Sequence, residues 1–130
     1  MYKVTFLLCI LLSVLSFVTA QAQEREPRFP GCDDKEDVDC ADIKMMQFIF
    51  SNLVHPESAK SANVKGTVSV SFLVKANGEI GDIVIDEGLG HGCDEEVIRL
   101  VKLMPKWLPA TSEEGTIIDM RWGVDVKFVH

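Results

Sequence analysis

Between Gly66 and Asp86 the chain alternates apolar and polar side chains in two runs separated by Ala76-Asn77-Gly78. Val68, Val70, Phe72 and Val74 fall on one side of an extended backbone, while Thr67, Ser69, Ser71 and Lys75 fall on the other. A two-residue period of this kind needs an extended chain. Ile80, Ile83, Val84 and Ile85 resume β-branched character after Asn77-Gly78, a pair tolerant of positive φ, so the stretch predicts an antiparallel hairpin with a half-buried first strand. An isolated hairpin is marginal in water, and the rest of the chain must cover it, extend it or use its edges.

Periodicity changes on either side. In DIKMMQFIFSNLVH, opening at Asp42, the residues Ile43, Met46, Ile49, Phe50 and Leu53 recur at three- and four-residue intervals. This predicts a helix whose wide apolar face belongs to the core. It fades at Val54-His55, ahead of Pro56, and PESAKSANVKG predicts a short turn or half-helix leading into the first strand. CDEEVIRLVKLM predicts a second helix: Asp94, Glu95 and Glu96 at its start and Lys102 near its end suit the helix dipole. Val97, Leu100, Val101 and Met104 form its sheet-facing side. Pro105 stops it, and Lys106-Trp107-Leu108-Pro109 predicts a rigid connector with Trp107 packed under the sheet edge. The closing TIIDMRWGVDVKFV alternates Ile118, Met120, Trp122, Val124, Val126 and Phe128 against Asp119, Arg121, Gly123, Asp125 and Lys127, which predicts one long strand. The fold class is α+β, with two helices packed on one face of a three-stranded antiparallel sheet.

The first 22 residues have another character. A basic start at Lys3, an apolar run from Val4 to Ala20 and the small-x-small Ala20-Gln21-Ala22 predict a secretory signal peptide over 1–22, cleaved after Ala22. The rival reading is an uncleaved membrane anchor, since the run approaches the lower limit for a span. Residues 23–41 then form an extended acidic lead-in segment, in which Phe29 alone calls for burial, and 42–130 form the domain. The full chain carries a formal charge of −7, and losing Lys3 makes the exported part more acidic. Such a surface repels phosphates, which excludes nucleic acid as a partner. Export favours oxidation, and Cys32 and Cys40 bracket the acidic GCDDKEDVDC loop, so the preferred disulfide is Cys32–Cys40; pairing of either with Cys93 stays open.

Candidate chemistry is sparse. Asp33, Asp37 and Asp39 suggest calcium, but EF-hand spacing places Lys35 at a ligand position and lacks the glycine for the turn. GLGHGC lacks the lysine and hydroxyl of a phosphate loop. His91 and Cys93 suggest a thiol or zinc site, yet neither an orienting acid nor further ligands are in place. No catalytic residue, metal ligand or cofactor is assigned, and the chain reads as a protein without enzyme activity.

Several short motifs occur in a fixed order: Pro56 and Ala59, Gly66, Asn77-Gly78, Asp94-Glu95-Glu96, Arg99, and Pro105-Lys106-Trp107-Leu108-Pro109. Together they resemble the C-terminal domain of TonB, the periplasmic part of the Gram-negative energy transducer. With PRFPGC ahead and a later Cys, the resemblance is to the version found in Bacteroidetes-like sequences. His55 stands where the family has Tyr, and the long Pro-rich linker of a complete transducer is missing. The resemblance implies a periplasmic module, linked to energy-dependent transmembrane transport, that takes the N-terminal box of an outer-membrane receptor. Strand addition is the matching physical mode, and the expected peptide-binding edge is Thr116, Ile117, Asp119, Arg121, Gly123, Asp125 and Lys127. The rival to cleavage implies a short anchored transducer working with a proton-driven inner-membrane motor complex. Protection of the edge by its charged side chains, or self-pairing into a homodimer, is the alternative use of the same strand.

Overall fold

The computed structural model describes residues 23–129; the predicted signal peptide lies outside the described residues. Helix α1 spans Val38–Asn52, a short α2 spans Glu57–Ser61, and the hairpin consists of β1 (Gly66–Val74) and β2 (Ile80–Glu87). Helix α3 (Cys93–Leu103), the two-residue strands β3 (Ala110–Thr111) and β4 (Ile117–Ile118), and β5 (Met120–Phe128) complete the chain. The main sheet is antiparallel with spatial order β2-β1-β5, and β3 pairs β4 separately. The α+β architecture therefore stands as expected.

The inner face of the sheet is the apolar half of each alternation. Val68, Val70, Phe72 and Val74 of β1 are fully buried with Val126 and Phe128 of β5. Above them lie Val97, Leu100 and Val101 of α3, Met45, Phe48 and Ile49 of α1, and Leu53 at the C-cap of α1. The outer face is a polar lattice. Ser69 Oγ donates to Asp125 at 2.7 Å, Ser71 Oγ donates to Asp86 at 3.2 Å, and Arg121 donates to Ser71 Oγ at 3.2 Å and to Asp82.

Four local expectations change. Helix α1 begins at Val38, four residues before Asp42, because Asp37 is its N-cap and accepts the Cys40 N–H at 2.9 Å; the boundary placed at 42 falls inside a helix. The hairpin uses a three-residue loop in which only Gly78 takes positive φ (+84°), while the Asn77 side chain accepts the Glu79 N–H. Trp107 is buried against the central strand, edge-on to Phe72 of β1 at 5.3 Å and to Phe29 at 5.7 Å, with its backbone N–H bonded to the hairpin loop at Gly78. The closing run breaks at Asp119: β4 leaves to pair with β3, and the Asp119 carboxylate accepts the Ala76 N–H at 2.7 Å.

The lead-in segment is held at two places. Arg25 and Arg28 exchange backbone bonds with Thr111 and Leu108. Cys32 and Cys40 form a disulfide, which ties the segment to the first turn of α1, as the spacing favoured. Cys93 is free and fully buried.

Candidate functional site

The sheet ends in two unlike edges. β2 pairs β1 with two register shifts, and Asp82 at one of them takes φ +46°, a costly conformation for a side chain that is not glycine. Irregularity and the acids Asp82, Asp86 and Glu87 blunt that edge. β5, in contrast, pairs β1 in unbroken register for nine residues, from Gly66↔Phe128 to Val74↔Met120.

One hydrogen bond determines which backbone groups of β5 face outward. Lys75 N–H donates to the Glu79 carbonyl at 2.9 Å, so Lys75 turns its backbone toward β2, and so do Leu73 and the residues two apart below it. Val74, Phe72, Val70 and Val68 then turn theirs to β5. Their partners Met120, Trp122, Val124 and Val126 are thereby used, and the N–H and C=O groups of Arg121, Gly123, Asp125 and Lys127 point away from the sheet. All four residues are exposed.

The other expected edge residues lie elsewhere. Thr116 has its carbonyl bonded by Ser112 N–H at 2.8 Å, and Ile117 belongs to β4, exposed on the small sheet. Asp119 is spent on the hairpin loop. Arg121 and Asp125 reach across the polar outer face to Asp82 and Ser69, so their charges do not lie over the edge.

Sequence periodicity misassigned one surface beside this edge. Ile43, Met46 and Phe50 of α1, expected in the core, are 55%, 53% and 76% exposed. Ile49 and Leu53 face inward as expected, joined there by Met45 and Phe48. Met46, Ile49, Phe50 and Leu53 line a hollow of about 110 Å³ together with Asp125, Val126 and Lys127, so the exposed stripe adjoins β5. The clue available in the sequence was excess: Ile43, Met45, Met46, Phe48, Ile49 and Phe50 put six large apolar residues into eight positions, more than a single face requires.

The thiol and the glycine loop are each taken up by their own surroundings. The Cys93 thiol is pushed up by burial and then by Asp94 and Glu95, while His91 beside it in sequence is exposed. A buried, protonated thiol is a poor nucleophile and ligand. The glycine loop already holds its own anion, since Asp94 accepts the Leu89 N–H at 2.9 Å and the Gly90 N–H at 3.4 Å. Among the described residues, no helix is long and apolar enough to cross a membrane.

Residues 51–129 match the family model for the Gram-negative bacterial TonB protein C-terminal domain. The chain belongs to this family, which is linked to TonB-dependent transport and to outer-membrane receptors in general and whose domain is periplasmic. Two solution structures of the Helicobacter pylori TonB C-terminal domain are similar to it. The longer is 24% identical over 66% of this chain and 77% of that one, with a TM-score of 0.47; the shorter is 22% identical over 67% and 90%, with a TM-score of 0.45. No curated protein matches.

Proposed function

We propose that the protein is an exported, non-catalytic module that binds an extended peptide segment of an outer-membrane TonB-dependent receptor by adding it as a fourth strand beside β5. The observation that carries this reading is the regular outer edge of β5, with the backbone groups of Arg121, Gly123, Asp125 and Lys127 turned outward. Main-chain bonding supplies affinity in such a mode and requires no catalytic group. Family membership supports a receptor segment as the peptide, and the blunted β2 edge supports β5 as the acceptor.

Amide hydrogen exchange on the labelled protein, with and without a receptor-box peptide, tests this. Binding by strand addition slows exchange at Arg121, Gly123, Asp125 and Lys127 and leaves Met120, Trp122, Val124 and Val126, already bonded to β1, almost unchanged. Protection along β2, or none on β5, refutes it.

A further inference from the structure

Helix α1 is wider than the sheet beneath it can cover. Three strands span about 10 Å between their outer axes, and each helix is about 10 Å across. Helix α3 packs on β1 and β2, which leaves β5 to support α1. The inward residues Ile49 and Leu53 meet that strand's neighbourhood, and the hollow over Val126 has Met46 and Phe50 on its outer wall. Met46 and Phe50, exposed at that hollow, overhang the stretch of β5 from Asp125 to Lys127, beside the place where a fourth strand would lie.

We infer that this overhang is a side-chain subsite: it selects an extended peptide with apolar residues at alternate positions, the strongest preference being for a branched aliphatic residue opposite Val126. The inference rests on the β5-edge reading and adds what the incoming strand must carry. A residue paired with Val126 shares its face of the sheet and so points at Met46 and Phe50. The next inward residue, two positions on, is displaced by about 7 Å, comparable with the spacing of roughly 5 Å between successive stripe residues on α1. The hollow of about 110 Å³ is of a size for one aliphatic side chain.

A peptide suits this surface better than other occupants. At 55%, 53% and 76% exposure, the three side chains offer on the order of 350 Å² if each has roughly 200 Å² in all. That is under half of the ~800 Å² per partner that a stable dimer buries. The chain's net charge of −7 does not favour an anionic membrane.

Panning a display library of random peptides about as long as β5 against the protein, followed by calorimetry of the winners, tests the inference. The expected result is enrichment of apolar residues at alternating positions, with affinity falling about tenfold in Phe50→Ser and lost in Gly123→Pro. Proline at 123 removes an outward N–H and leaves the ladder to β1 intact. Winners that lose binding in Gly123→Pro but are indifferent to Phe50→Ser overturn the subsite and leave the edge reading standing. Winners indifferent to Gly123→Pro overturn both, as does a library that yields none. Sedimentation showing a dimer that Phe50→Ser dissociates assigns the stripe to a second copy and likewise overturns the subsite.

Discussion

Replacing Gly78 by alanine should destabilise the protein far more than the same change at Gly90, although both glycines have positive φ, +84° and +69°. An L-residue in this region costs about 1–2 kcal/mol wherever it occurs. At Gly90 nothing lies within 4 Å of the added Cβ, so that is the whole penalty. At Gly78 the Cβ would overlap the Trp107 carbonyl oxygen, a backbone atom that cannot rotate away. Relief requires the Lys106–Trp107 connector to move, which strains the 2.9 Å bond from Trp107 N–H to the Gly78 carbonyl and shifts an indole packed against Phe29 and Phe72. Loss of that bond alone adds about 1 kcal/mol, for a total of about 2–3 kcal/mol before any repacking of Trp107. Urea unfolding followed by tryptophan fluorescence measures both variants under one condition. Equal losses at the two sites would show that the hairpin loop does not brace the connector.

Three further outcomes follow from the geometry. Opening the Cys32–Cys40 bridge, whose sequence separation is 8, should lower stability by up to about 2.5 kcal/mol through the freed loop; an unchanged melting curve with and without reductant would contradict this. Burial opposes charge on Glu96, but hydrogen bonds from Arg99 and the Val54 N–H outweigh it and hold the carboxyl below the usual range. Its stabilisation is therefore complete above the ordinary glutamate pKa and disappears as pH falls through the depressed one, so Glu96→Gln should flatten the acid limb of a stability–pH curve. Cys93, shifted the opposite way, should resist a thiol reagent in the folded state and react on unfolding, as mass mapping of the label would show.

Much of the frame was legible because burial imposes a period. The hairpin, α3 and the alternation of β5 each put apolar residues on one face at the spacing their backbone dictates, and the Cys32–Cys40 bridge followed from a short loop with little to bury. What escaped depends on distant partners. Ala110 and Thr111 are too short to show any period, so the departure of Ile117 and Ile118 to pair with them left no trace in the alternation. The helical period places Ile43, Met46 and Phe50 near one apolar side of α1 but says nothing about how many strands lie beneath it. Asp37, a good N-cap, was an available signal for the earlier helix start.

The residues that carry the family resemblance are mostly not those of the proposed binding edge, and the physics of strand addition explains the separation. Pro56 caps α2, Ala59 is fully buried, Gly78 touches the Trp107 connector, and Trp107 fills the core. The Glu96–Arg99 pair clamps the end of α1, with Glu96 accepting the Val54 N–H at 2.7 Å and Arg99 donating to the Asn52 carbonyl at 2.7 Å. Since α3 rests on β1 and β2, that clamp ties the end of α1 to a helix that the sheet carries. The motif residues thus build the frame that carries β5 and α1, and the proposed edge lies outside them. In the proposed strand addition, recognition by main-chain groups would ask only that Arg121, Gly123, Asp125 and Lys127 remain extended, so their side chains need carry no signature, and the proposed selectivity falls to the helix above them.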